Sequence, residues 1–391
     1  MKRDAVIVSA VRTPIGRQGQ ALASIPAHVF GAEVMKEAIK RATIDPNQID
    51  DVIMGNVLSG GGNIARLTAL QTGLSMELPG LTVDRQCGSG INAIMLAAQA
   101  IQAGAGDVYV AGGIESMSRA PHLLERAERA YSPVPPKIKN AQLSPEEIGD
   151  PPMGITAENL VKKYEISREE QDDFALRSQQ RMARAMEEGR FAEQIVPITI
   201  PVRRGEPLQF DTDEHPRPDS TKEGLAKLPP AFLKGGTVTA GNSSGLNDAA
   251  SALVIMSREK AEQIGVTPLA VIRESAVAGV DPNIMGIGPV PATEKVMEQA
   301  GMQLEDMDII EINEAFAAQV IACDRELGMD PEKVNVNGGA IAHGHPLGAT
   351  GAILTTKAVY ELERSNSRYA LITACIGGGQ GIAMIIEREK E

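Results

Sequence analysis

Apolar residues in "VFGAEVMKEAIKRATI" recur every three to four positions, the period of a helix that buries one face. The stretch that follows, "QIDDVIMGNVLSG", closes its apolar residues into a short run bounded by turn formers, which predicts a buried strand. The same succession returns late in the chain. "PATEKVMEQAGM" reads as a helix and "DMDIIEINEAFAA" as the strand after it, with Asp51 and Asp308 at equivalent points. A second pair of segments, "TVDRQCGSGINAIMLAAQAIQAG" and "VNVNGGAIAHGHPLGATGAILTTKAVYEL", each predict strand, glycine turn and helix. Each leads to a short apolar strand that enters a glycine turn, "DVYVAGGIES" in one case and "RYALITACIGGGQG" in the other. The chain is therefore expected to be α/β, with two similar halves built from βαβ units and a largely parallel sheet in each. Strands that are apolar without alternation predict sheets covered on both faces.

Between Arg119 and Asn247 this rhythm breaks. Prolines cluster at Pro133, Pro135, Pro136 and Pro145, at Pro151 and Pro152, and again from Pro197 to Pro230. One amphipathic helix, "SREEQDDFALRSQQRMARAMEEG", interrupts them, with Ser167 as its N-cap and Gly189 at its C-terminal end. An excursion of this length is more often a functional lid than a linker. The expected division is a first domain of 1–118 plus about 248–268, an insertion of 119–247 and a second domain of 269–391.

Composition narrows the function. A hydrophobic fraction of 43% allows a large core, and an aromatic fraction of 3% requires that core to be aliphatic. The net charge of −13 argues against a nucleic-acid partner. Three widely spaced cysteines do not form a disulfide framework and suit a reducing, cytoplasmic setting. The start, "MKRDAVIVSAV", reads as a first strand rather than a signal peptide, and no run is long enough to span a membrane.

Four patches carry chemistry. Cys87 lies at a strand-to-helix turn, where the first helical N–H groups and the dipole favour a thiolate; it is either a nucleophile or a small buried residue at a tight turn. Gly88 and Gly90 beside it would admit a substrate closely. "GSGINA" also fits a dinucleotide fingerprint, but the acidic residue expected at the end of the next strand is missing. His343 and His345 share a glycine-rich turn. They would be a metal pair only if their side chains converged, so one histidine acting as base for a distant cysteine is the sharper reading. Cys375 ends a strand facing three glycines and suits an acid/base group, a redox partner for Cys87 or a core position. The neighbouring glycines would expose N–H groups of the oxyanion-hole kind. Asn313 either caps a helix or places an amide in a cleft. All four are expected at the C-terminal ends of strands, where open α/β sheets bind ligands.

With these residues stand "CGSG", "AGGIESMS", "MGITAENL", "GTVTAGNSSGLNDAA", "MGIGPVPAT", "NEAF", "GGAIAHGHPLGATG" and "CIGGGQG". In these motifs and their order the sequence resembles the thiolases over its whole length. The resemblance implies two duplicated domains in a five-layer αβαβα sandwich with an inserted loop domain that covers coenzyme A, and assembly as a homodimer or homotetramer. It implies an acyl-CoA C-acyltransferase that condenses two acetyl-CoA, or cleaves a 3-oxoacyl-CoA, through an acyl-cysteine. Coenzyme A enters as substrate or product, with no tightly bound cofactor and no metal.

Carried over motif by motif, Cys87 would be the acylated nucleophile, His345 its activating base and Cys375 the group that moves the α-proton. Asn313 would orient a water beside His345 in one oxyanion hole, and the N–H groups of Cys87 and Gly377 would form the other. Arg217, Phe232 and Ser244 match positions that contact coenzyme A, and Met153 and Met285 match positions that shape the acyl pocket. Arg203, Arg204, Arg217, Lys222 and Lys227 would supply local positive charge for an anionic ligand. Three residues depart from the family pattern: Asp84 where Asn is common, Pro152 where biosynthetic members often carry His, and His343. Two other readings stand beside this one, a thiolase-like lipid-binding or scaffold protein without turnover and a Rossmann-type dehydrogenase.

Overall fold

The computed structural model describes residues 3–389 apart from positions 128, 130, 132, 203 and 204, so Arg203 and Arg204 lie outside the described residues. The first half contains β1 (Ala5–Arg12), α1 (Ala27–Arg41), β2 (Asp51–Gly55), α2 (Ile64–Thr72), β3 (Gly80–Val83), α3 (Ser89–Ala103) and β4 (Val108–Ser116). After α4 (Met153–Tyr164) and α5 (Arg168–Glu187) it closes with β5 (Asn247–Ser257). The second half contains β6 (Ala270–Gly279), α6 (Pro289–Ala300), β7 (Ile309–Ile312), α7 (Ala317–Leu327), α8 (Leu347–Arg364), β8 (Tyr369–Ile376) and β9 (Gln380–Arg388).

The strands run in the order β7-β8-β9-β6-β1-β5-β4-β2-β3. The two half-sheets join where Ala5–Ile7 of β1 pair with β6. Alternate strand residues face different cores, as the strand period of two requires. Ile53, Tyr109, Ala111, Leu253, Ile372 and Met384 bury against Ile91, Ile94 and Ile101 of α3 and Leu354 and Ala358 of α8. Their neighbours Val52, Met54, Val108 and Val110 turn to the α1 side, and Ile310, Ile312, Leu371 and Ile385 turn to the α6 and α7 side. The layers are thus outer helices, sheet, α3 with α8, sheet, outer helices, the expected five-layer αβαβα sandwich.

One expectation fails. The sheets are mixed rather than largely parallel: β2 is parallel to β3 and β4, and β7 to β8, but the other pairings are antiparallel. The reason lies in the duplicated hairpin. β8 turns straight back into β9 through Gly377–Gly379, and β4 pairs with β5 in the same antiparallel way. The long insertion therefore occupies the place of a three-glycine turn. It carries α4, α5, the two-stranded ribbons Leu123–Leu124 with Ile138–Lys139 and Ile198–Ile200 with Leu208–Phe210, and the short helix Lys222–Ala226. Helix α5 starts in a capping box between Ser167 and Glu170; Glu188 is its C-cap, and Gly189 follows in the left-handed region.

Candidate active site

The Cys87 turn is held by its neighbours. Asp84 Oδ1 accepts from the Gln86 N–H at 2.8 Å, and Gln86 adopts a positive φ of 45°. Ser89 Oγ accepts from the Arg85 N–H at 2.9 Å and donates to the Gln86 carbonyl at 2.6 Å. These bonds lift Cys87 to the head of α3. The adjacent glycines serve packing rather than substrate access, contrary to expectation. A side chain on Gly88 would strike Ile376, and one on Gly90 would lie 2.6 Å from the Ala352 nitrogen of α8. The two central helices thus touch backbone to backbone, and their N-terminal ends, with Cys87 and His345, share one end of the molecule.

His345 does not follow a strand. "VNVN" makes a single bridge, Val334 to Ile310, because Asn335 turns left-handed at φ 44° and uses its side chain to brace Ile312. Three of the four patches therefore sit at strand ends, and the fourth heads α8 after the short helix Ala340–His343. His345 is 5% exposed, and burial pushes its imidazole down to about 4. Its Nδ1 meets Thr350 Oγ1 at 2.7 Å, and that hydroxyl donates to the Pro346 carbonyl at 3.0 Å. Thr350 can then only accept from the ring, so the proton sits on Nδ1 and Nε2 keeps its lone pair. Nε2 faces the Asn313 amide nitrogen at 3.4 Å. Asn313 is fully buried at the end of β7, and its Oδ1 has no partner among the described residues. His343 points elsewhere, its Nδ1 contacting the Gly344 carbonyl at 2.9 Å. The two histidines do not converge as a metal pair, and no group of three metal-ligating side chains occurs among the described residues.

Cys375 is fully buried on β8 and packs with Met285, Ala315, Phe316, Ala157 and Val238, with Met153 against the same cluster. Burial and then the nearby Cys87 sulfur raise its thiol well above the ordinary range. The Cys87 thiol is pushed up to about 11, first by burial, while the N–H groups of Gly377 and of Cys87 itself pull it down by donating toward the sulfur; Glu115 and Asp84 add to the rise. At the half-buried Cys87 desolvation thus acts against the helix end and favours the neutral thiol at rest, where the helix end alone favours a thiolate.

The insertion closes over this group. Leu143 lies 3.0 Å from where a side chain on Gly377 would begin, and Met153 Sδ 3.6 Å. Phe232 is 43% exposed, stacks edge-on against Phe316 at 5.9 Å and covers Gly154. Ser244 donates its N–H to the Ala315 carbonyl at 2.9 Å. Arg217 is exposed, and neither it nor Lys227 has an ion pair among the described residues. Lys222 pairs with Glu169 at 2.8 Å and Asp173 at 3.1 Å on the exposed surface.

Sequence reading missed four residues. Thr350 carried a signal, since it lies one helical turn beyond Pro346. Asn247 and Glu115 stood inside the motifs "GTVTAGNSSGLNDAA" and "AGGIESMS" with no role attached, and Leu143 carried no signal, because only the fold brings them to the site.

The family model "Thiolase, N-terminal domain" matches residues 5–259, and "Thiolase, C-terminal domain" matches 266–388. The chain belongs to the thiolase family. This thiolase is 50% identical to the acetyl-CoA acetyltransferase of Escherichia coli (strain K12), over 99% of each chain. It superposes on the crystal structure of the Bacillus anthracis acetyl-CoA acetyltransferase with a TM-score of 0.94 at 47% identity, covering 99% of both. It superposes on human mitochondrial 3-ketoacyl-CoA thiolase in complex with CoA with a TM-score of 0.93 at 44% identity, covering 99% of this chain and 98% of that one. Its activity is that of a thiolase acyltransferase, which sets aside the dehydrogenase and non-catalytic readings.

Proposed function

We propose that this thiolase transfers acetyl groups between coenzyme A thioesters through Cys87, condensing two acetyl-CoA or, in reverse, cleaving a 3-oxoacyl-CoA with coenzyme A. The observation that carries the assignment is the packing of the Cys87 turn against the end of β8, where Gly88 meets Ile376 and Gln86 meets Gly377, beside Cys375. In the first half-reaction His345 Nε2 takes the thiol proton as the sulfur attacks the thioester carbonyl. The departing coenzyme A sulfur takes its proton from Cys375, so Cys87 carries the acyl group, Cys375 is left as a thiolate and His345 keeps the Cys87 proton on Nε2. In the second, Cys375 removes an α-proton from acetyl-CoA. The enolate oxygen accepts from the Nε2–H that His345 gained in the first half-reaction and from a water on Asn313, whose unpartnered Oδ1 leaves hydrogen-bonding capacity for that water. The carbanion attacks the acyl-Cys87 carbonyl, whose oxygen turns to the Cys87 and Gly377 N–H groups; the carbon–sulfur bond then breaks, His345 returns its proton to the Cys87 sulfur, and the 3-oxoacyl-CoA departs. A desolvated thiolate suits the α-proton step, since its raised affinity for protons makes it the stronger base.

Residues 119–247 form a loop domain over coenzyme A, between a first domain of 1–118 with about 248–268 and a second of 269–391. Arg217 meets a phosphate, Phe232 and Ser244 line the pantetheine path, and Met153 and Met285 bound the acyl pocket. Mass spectrometry tests the roles. Acetyl-CoA should add one acetyl group per subunit in the wild type and in Cys375→Ala, and none in Cys87→Ser. Cys375→Ala should fail to exchange the methyl protons of acetyl-CoA with deuterium. Acetyl label persisting in Cys87→Ser, or full exchange in Cys375→Ala, overturns the assignment.

The assembly is a homodimer or a dimer of dimers. Edge strand β3 ends the sheet, and Leu67, Leu70, Met76 and Leu81 around it are exposed, the pattern of a strand covered by another chain. Sedimentation velocity should give at least the mass of two chains, and a monomer counts against it. The three free cysteines support a cytoplasmic setting, and among the described residues no helix is long and apolar enough to cross a membrane.

A further inference from the structure

Cys87 belongs to the first half and His345 to the second, so their alignment depends on how the halves register. We infer that Asn247, at the start of β5 in the first half, is a positioning residue that sets the place of His345. The inference rests on the reading of His345 as the base. Asn247 Oδ1 accepts the His345 backbone N–H at 2.9 Å, across 98 residues of sequence. Its Nδ2 donates to the Gly16 carbonyl at 3.0 Å, which fixes which end of the amide faces the histidine. Asn247 is fully buried, and β5 pairs there with Arg17. The chain just before the histidine is pressed onto this amide. Gly344 has φ +100°, and a side chain there would lie 2.3 Å from Asn247 Cγ. A second first-half residue holds the same segment: Glu115 Oε2 accepts the Gly348 N–H at 2.9 Å. Among the described residues of the second half the ring is tethered only to Thr350 and faces Asn313, so those bonds fix its tilt but not its distance from the first half.

The test reads iodoacetamide alkylation of Cys87, per folded subunit, in the full-length protein. Asn247→Leu, close in size but without the acceptor, should slow alkylation about tenfold or more, while the double variant Asn247→Leu/His345→Ala should be no slower than His345→Ala alone, the non-additivity of residues acting through one group. Asn247→Asp keeps the acceptor and should stay within about threefold of the wild type, where loss of packing alone would not be rescued. A wild-type rate in Asn247→Leu, or a full additional loss on top of His345→Ala, overturns the inference and leaves the base assignment standing. If Asn247→Leu fails to fold, Asn247→Asp decides: a retained rate supports the inference, and a folded variant as slow as His345→Ala overturns it. A His345→Ala variant that alkylates like the wild type removes the base assignment itself, and the inference falls with it.

Discussion

A cysteine at a helix start with a histidine nearby suggests a thiolate–imidazolium pair, yet both groups are displaced the wrong way for one. The Cys87 thiol is raised from 9.0 to about 11 and the His345 imidazole lowered from 6.5 to about 4, each chiefly by burial. A helix end contributes about 0.3–1 kcal/mol, less than one pKa unit of about 1.4 kcal/mol, so it cannot offset two units of desolvation. The resting pair is neutral, and the proton moves only as the sulfur attacks. Alkylation of Cys87 by iodoacetamide should therefore keep rising with pH beyond the ordinary thiol value of about 8.5. A plateau reached below about pH 7 would mean a preformed ion pair. Asp84 sharpens the point: its carboxylate builds the turn and at the same time raises the thiol.

At the level of elements, the contact of α3 with α8 governs the site. A side chain on Gly351 would lie 2.4 Å from the Ile91 nitrogen, and backbone cannot yield as a side chain tip does. Gly351→Val should cost about 3 kcal/mol or more, at or above the upper end of ordinary overpacking, read as a lower urea midpoint. An unchanged midpoint would show that the helices can separate without loss. Much of this architecture was legible. The repeated helix-strand succession announced two halves, apolar strands announced covered sheets, and Cys87, Asn313 and Cys375 fell where strand ends were expected. Strand direction was not legible, because three glycines and a long insertion make equivalent turns and periodicity does not see the equivalence. "VNVN" misled because alternation suggests a strand, while Asn335 carries a left-handed backbone that the pattern cannot reveal. Asn247 and Glu115 stood inside quoted motifs, but their role was not legible, since their partners lie on the opposite half.

Across the whole molecule, the buried His345 and the half-buried His215 both have imidazoles near 4, against 6.5 unfolded. A lowered folded value means the unfolded chain binds the extra protons. Their contribution is complete above about pH 6.5 and is lost as pH falls toward 4, with His345 worth on the order of 3 kcal/mol and the half-buried His215 less, because solvent screens it. The buried Glu115, Glu311 and Glu314 are raised and act in the opposite direction over the acid range, so a comparison isolates the histidine. His345→Gln should lose less thermal stability than the wild type between about pH 6.5 and 4.5, and equal losses would contradict the assignment. The shared central layer also governs assembly of the chain itself. Helix α3 comes from the first half and α8 from the second, and both bury against the two sheets at once. Neither half can cover its own inner sheet face before the other arrives. Nucleophile and base meet only when that late, long-range docking is complete. On dilution from denaturant, recovery of activity should trail recovery of helical ellipticity, and a half-length fragment should be sticky and chemically silent until its complement is supplied.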